Sequence, residues 1–207
     1  MLLTRVPYPR KDKNTARKRR FVIYPLTYLF LYTYQIEANQ KAYQISISKE
    51  ASFMETNLLG TKTITQIGIL VHDIEKTSQA YADFFGVDKP QWIITGPVEE
   101  AQTEYRGQRT EGRAKLAFFD MGSLQLELIE PDQEPSVWRE CLDKDGEGVH
   151  HIAFAIEGMK EKVMVLERSG MPLLQNGEYT GGRYAYMDTL KDLKVMIELL
   201  ENDKPHA

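Results

Sequence analysis

Val149-His-His-Ile-Ala-Phe-Ala-Ile156 and Gln66-Ile-Gly-Ile-Leu-Val71 are the two stretches on which the reading of this chain turns. Each alternates with the period of two that marks a strand with two unlike faces. In the first, Ile152, Phe154 and Ile156 share one side and His151, Ala153 and Ala155 the other. In the second, Ile67, Ile69 and Val71 lie opposite Gln66, Gly68 and Leu70. Laying Gln66 on His151 puts Ile67 on Ile152, Gly68 on Ala153 and Val71 on Ile156. By the same alternation His150 turns away from His151 and reads as structural.

The repeat extends outward from both stretches. After the first, Asp73 is placed to cap a helix through Phe85 that Gly86 stops. Strand-like runs follow at Gln91–Thr95 and near Ala101–Tyr105. A hairpin then joins Ala114–Asp120 to Leu124–Glu130 around Met121-Gly122-Ser123. After the second stretch, a helix from about Met159 to Ser169 ends at Gly170, and strands are expected at Arg183–Asp188 and Lys194–Leu200. Both halves finish on a glutamate in an aliphatic frame, Leu126-Glu127-Leu128 and Ile197-Glu198-Leu199. The pattern predicts an α+β fold of two βαβββ modules, about residues 62–136 and 147–203, within a domain spanning 54–207.

The alternation places Gln66, Glu127, His151 and Glu198 together on the concave side of the sheet. Burying carboxylates there without partners is expensive. A divalent metal removes that cost, because imidazole nitrogen with carboxylate and amide oxygens suits Zn, Co, Ni, Mn or Fe(II).

Composition narrows the alternatives. The apolar fraction of 42% and charged fraction of 27% are those of a globular chain with a core. A single cysteine, Cys141, excludes a disulfide framework and any Cys-rich zinc site, and it reads as a packed small side chain. The net charge of −4 conceals a split: residues 1–53 carry 10 Lys/Arg against 3 Asp/Glu, residues 54–207 carry 16 against 27. The acidic main body argues against nucleic acid as a partner.

Residues 1–53 combine a basic run, Arg10–Arg20, with an aromatic-apolar run, Phe21–Tyr34, too short to span a bilayer at about 20 residues per crossing. We read this extension as lying outside native coding sequence, with translation starting at Met54. A targeting or interfacial anchor segment and a structural element stay open beside that reading.

The segments Gln66-Ile-Gly-Ile, Leu126-Glu127-Leu-Ile-Glu-Pro131, Gly146-Glu-Gly-Val-His-His151-Ile-Ala-Phe and Ile197-Glu198-Leu resemble the vicinal oxygen chelate superfamily of glyoxalases, bleomycin-resistance proteins and dioxygenases. The resemblance covers about residues 62–202 and is nearest in wording to the methylmalonyl-CoA epimerase-like branch. It implies an incomplete barrel around a metal held by Gln66, Glu127, His151 and Glu198. It also implies a substrate bound through two neighbouring oxygens and an anion stabilised by the metal after proton removal.

Within that resemblance three activities compete. An acyl-CoA epimerase, acting on a substrate such as methylmalonyl-CoA, is the first reading. Glu198 would serve as ligand or base, and Glu111 as the base on the other face of the enolate. Arg106, Arg109, Arg113 and Lys115 surround Glu111 in sequence and would hold CoA phosphates or a substrate carboxylate; a charged, solvated hairpin edge is the plainer alternative. The ligand set Gln, Glu, His, Glu is similar to zinc-type glyoxalase I, which acts on a glutathione adduct, yet Leu70 and Pro131 stand where that enzyme has its clamp. A metal-free binding protein is the third reading. Extradiol dioxygenase activity is disfavoured, since Gln66 replaces the first histidine. A cytoplasmic homodimer is expected from the resemblance, with no membrane partner for residues 54–207.

Overall fold

In the computed structural model the chain divides into two units, residues 1–51 and 52–207. The structure describes residues 57–204 and, in the first unit, only Gln35 and residues 39–41, which are helical. The expectations for the N-terminal extension and for Met54 lie outside the described residues.

The second unit opens with β1 (Gln66–Leu70) and α1 (Ile74–Phe85). Asp73 caps α1 by accepting a hydrogen bond from the Lys76 backbone N–H, and Gly86 ends it in the left-handed conformation, φ 67°. The helix buries Ile74, Ser78 and Ala82, one stripe at i, i+4 and i+8. Next come β2 (Ile93–Ile94), the short helix α2 (Val98–Ala101), the two-residue strands β3 (Glu104–Tyr105) and β4 (Gln108–Arg109), and the long hairpin β5 (Ala114–Asp120) and β6 (Gln125–Pro131). Helix α3 (Val137–Asp145) connects the modules. The second is β7 (Gly148–Ala155), α4 (Met159–Arg168), β8 (Leu173–Tyr179), β9 (Gly182–Met187), α5 (Leu190–Leu193) and β10 (Met196–Asn202).

Sheet order runs β2-β5-β6-β1-β7-β10-β9-β8-β3-β4. The last strand of each module lies parallel to its first, β6 on β1 and β10 on β7, and the modules meet at the antiparallel pair β1·β7. Reading outward from that junction, both halves run first strand, last strand, then back through the middle strands, so the repeat in the sequence is a repeat in space.

The sheet must curl. Arg109 ends β4 and Ala114 begins β5, and the four residues between them reach at most about 18 Å. Flat, the eight strand spacings from β5 to β4 would measure about 38 Å. The closing piece is the β3–β4 hairpin, which leaves the first module to pair with β8 of the second, Glu104 on Asn176 and Tyr105 on Gln175.

Two apolar clusters lie between the helices and the convex face: Val71, Ile74, Ala117, Phe119, Leu126 and Leu128 under α1, and Ile156, Leu166, Met187, Ile197 and Leu199 under α4. A third fills one end of the concave face, where α3 lays Val137, Trp138 and Leu142 against Leu70, Ile129, Tyr186 and Met196. Cys141 packs against this cluster, and burial followed by the nearby Glu140 charge pushes its thiol up to about 11, which disfavours the thiolate.

Three differences from the sequence reading stand out. The run near Ala101–Tyr105 contributes only β3, its start being taken by α2. Helix α3 and strand β8 were not foreseen. Finally, His150 does not turn away from His151: Gly68 pairs with His151 but Ile69 pairs with Val149, so His150 is the extra residue of a β-bulge. Both histidines are buried.

Candidate metal centre

The centre is built on four adjacent strands, β6, β1, β7 and β10. In one row Glu127, Gly68, His151 and Met196 stand side by side; in the next row stand Gln125, Gln66, Ala153 and Glu198. Glu127 and His151 thus flank a glycine, and Gln66 and Glu198 flank an alanine. Functional side chains two strands apart, about 10 Å at the backbone, lean over a small residue to meet. Gly68 is needed for space: a Cβ there would stand 2.0 Å from His151 Cε1.

His151 Nε2 lies 3.1 Å from Glu198 Oε2, 3.4 Å from Glu127 Oε2 and 3.4 Å from Gln66 Oε1. His151 is 0% exposed, and Gln66, Glu127 and Glu198 are 6%, 5% and 4%. The Gln66 amide is oriented by its own Nε2, which donates to Gln125 Oε1 at 2.8 Å and leaves Oε1 toward the centre. Glu127 Oε2 and Glu198 Oε2 are enclosed, and among the described residues neither accepts an aligned hydrogen bond.

Electrostatics follow from the enclosure. Burial pushes the Glu127 carboxyl up to about 8, with His151 pulling it down and Glu198 adding to the rise. Burial works against a charged His151, yet the Glu198 carboxylate, with Glu127 behind it, raises its pKa above the ordinary value. His150 is held well below its ordinary value by burial and then by the charge on His151.

The donors fit a divalent cation. Ligand atoms about 2.1 Å from a shared ion stand about 3.0–3.4 Å from one another in octahedral or tetrahedral order. The spacings around His151 Nε2 match, and one ligand atom each from Glu127, His151 and Glu198 fall within 4.8 Å of one another. Two carboxylates and a dication are neutral together, which removes the cost of the orphaned oxygens.

The other residues singled out from the sequence are not in this cluster. Glu111 is exposed in the link between β4 and β5, and among the described residues no hydrogen bond ties it to the centre. Arg109 pairs with Glu99 at 2.7 Å on the surface. Arg113 donates through Nε to the Thr95 carbonyl at 2.7 Å. Lys115 pairs with Glu130 at 2.7 Å and lies over the Trp92 ring, and Arg106 is held by Glu140 and Tyr105. Among the described residues the four cations each have a separate partner. Sequence reasoning missed Gly68, Gln125 and His150. Gly68 carried a signal as a glycine inside an alternating strand, and Gln125 by sharing the strand face of Glu127.

The family model described as the glyoxalase/bleomycin resistance protein/dioxygenase superfamily matches residues 65–187. The chain belongs to that superfamily. Gln66, Glu127 and His151 fall inside the matched region of the superfamily model, and Glu198 lies beyond it on β10. The chain is 28% identical over 141 residues to the uncharacterized protein YqjC of Bacillus subtilis (strain 168), covering 67% of this chain and 91% of that protein. Among solved structures it is similar to the hypothetical protein BH1468 from Bacillus halodurans C-125, with 20% identity, coverage of 70% and 96% of the two chains and a TM-score of 0.48. It is also similar to a Streptomyces coelicolor methylmalonyl-CoA epimerase variant in complex with 2-nitronate-propionyl-CoA, with 25% identity, coverage of 69% and 99% and a TM-score of 0.47. For the Mycobacterium tuberculosis methylmalonyl-CoA epimerase the values are 23%, 72% and 92%, and 0.46. No helix among the described residues is long and apolar enough to cross a membrane.

Proposed function

We propose that this protein is a metal-dependent isomerase that removes and returns the α-proton of an acyl-CoA thioester such as methylmalonyl-CoA. The observation that carries the reading is the buried convergence of Gln66, Glu127, His151 and Glu198 on one point of the concave face. A dication there, whether Zn, Co, Ni or Mn, supplies Lewis-acid stabilisation of negative charge on a substrate oxygen, worth several kcal/mol.

The chain's own residues divide the remaining work. Gln66, Glu127, His151 and Glu198 hold the cation. Glu198 also takes the α-proton, since a carboxylate has two oxygens and one can ligate while the other accepts. Glu111 is the base for the opposite face, from the link between β4 and β5. Arg109 and Lys115 meet substrate anions by exchanging Glu99 and Glu130, and Arg113 joins them only by releasing the Thr95 carbonyl. Arg109 has the weakest hold, because an exposed ion pair is worth about 0–1 kcal/mol.

A glyoxalase I activity on a glutathione hemithioacetal is the second reading, favoured by the identity of the four donors. It is weakened by Leu70 and Pro131, both buried and apolar at the positions of the glutathione clamp. We place the protein in the cytoplasm as a homodimer. The dimer reading draws on the exposed Ile93 and Ile94 of the edge strand β2.

The test is loss of the α-proton NMR signal of methylmalonyl-CoA in D₂O, with the full chain loaded with Co²⁺ or Zn²⁺. Metal-dependent exchange is the expected result. A loaded protein that gives no exchange but converts a hemithioacetal would replace the first reading by the second, and a protein that binds neither ion would leave the small-molecule binder.

A further inference from the structure

The bulge at His150 gives the centre a partner that the four-donor set does not include. His150 Nδ1 stands 3.1 Å from His151 Nδ1, with the rings 5.3 Å apart and nearly perpendicular at 85°. Tyr186 packs on both, its ring centroid 5.3 Å from His150 and 5.2 Å from His151. Only one proton fits between two ring nitrogens at this distance. If a cation takes the lone pair of His151 Nε2, the remaining His151 proton must sit on Nδ1. His150 Nδ1 is then the acceptor, and the His150 proton lies on Nε2, a buried atom with no partner among the described residues. Leaving that N–H unpartnered opposes folding, so the arrangement is better explained by what it does for His151 than by stability.

We propose that His150 is a positioning residue for the metal centre, holding the His151 ring with its proton on Nδ1 and Nε2 directed at Gln66, Glu127 and Glu198. The inference rests on the cation-site reading above. Ligating histidines usually donate their second N–H to a carboxylate or a carbonyl. Here a carboxylate would add a third buried anion beside Glu127 and Glu198, more charge than one dication neutralises. A neutral imidazole fixes the tautomer without adding charge. The β-bulge is what makes this possible, because unbroken alternation would have carried His150 to the convex face.

The experiment compares Co²⁺ and Zn²⁺ affinity, by competition with a chromophoric chelator, for the wild type, His150→Phe and His150→Asn. Phenylalanine keeps a ring against Tyr186 but offers no acceptor, whereas asparagine places an oxygen close to the Nδ1 position. Metal-free thermal melts report whether each variant folds. His150→Phe is expected to weaken binding about 10–100-fold, the usual loss for an outer partner of a metal ligand, and His150→Asn to stay within about threefold of the wild type. A folded His150→Phe that binds like the wild type overturns the proposal, as does a folded His150→Asn that loses as much as His150→Phe. Should His150→Phe not fold, the ¹⁵N pattern of the zinc-loaded wild type decides: His150 protonated on Nε2 supports the proposal, and protonation on Nδ1 overturns it. A wild type that binds neither ion defeats the cation-site reading itself, a distinct outcome.

Discussion

Gly68 shows how far the centre depends on a missing side chain. Its φ is ordinary, and what it supplies is room for the imidazole that reaches over it from the paired strand. Gly68→Ala must push His151 aside or bend β1, and overpacking of this kind costs about 1–3 kcal/mol. We expect a lower melting temperature together with at least tenfold weaker Zn²⁺ binding by calorimetry. Unchanged affinity would mean that the ring has another place to go. Glu127 gives a second expectation, with a sign that can be worked out. Its folded pKa of about 8 lies above the ordinary 4.5. The stability tied to its neutral form is therefore complete below about 4.5 and is lost as pH rises through about 8. The raised pKa of His151 acts in the same direction. Metal-free protein should melt at progressively lower temperature as pH rises across that window. Glu127→Gln should flatten the trend while weakening metal binding, and an equally steep trend in the variant would place its origin elsewhere.

At the scale of elements, the strands and helices that were legible are those whose local signals agree with their packing. β1, β6 and β10 carry an alternating run, β7 alternates beyond its bulge, and α1 has both a capping aspartate and a terminating glycine. Strand β8 was hidden because its residues serve neighbours. Gln175 is wholly buried, yet it is polar because its Oε1 accepts from the Val137 N–H at the start of α3 and its Nε2 donates to the Tyr184 hydroxyl. Gly177 looks like a turn, but a Cβ there would stand 2.8 Å from the Tyr184 ring. Helix α3 was hidden for the converse reason: a short amphipathic segment rich in charge, it buries Val137, Trp138 and Leu142 only because a curled sheet offers a concave surface. Of the centre, alternation along single strands put Gln66, Glu127, His151 and Glu198 on one face, where the structure brings them together. It could not reveal His150, since a bulge is decided by pairing between strands. Gln175→Ala would strand the buried Val137 N–H, costing about 1–3 kcal/mol. Urea unfolding should record that loss with metal affinity unchanged; a fall in affinity would show that α3 supports the centre directly.

For the whole molecule, the edges of the sheet decide what can happen next. One edge is the short strand β2, with Ile93 and Ile94 exposed. Unpaired strand edges with apolar side chains invite self-association, and a two-fold pairing through this edge would close it. Sedimentation velocity is expected to give a dimer for the wild type and a monomer for the double substitution Ile93→Lys and Ile94→Lys. A dimer that persists in that variant would mean that the copies meet elsewhere.

The opposite edge meets β5 through residues 110–113, a link packed on the connection between β6 and α3, where Thr110 Oγ1 donates to the Pro135 carbonyl and the Arg113 N–H donates to Asp132 Oδ2. Its span, about 18 Å at full stretch, is an upper bound on how far β4 and β5 can separate. The curl of the sheet is thus limited by a residue count rather than by a side-chain latch. Lengthening a surface connection costs little, about 0.6 kcal/mol for each doubling. An insertion in this link therefore relaxes the limit on the curl at little cost in stability.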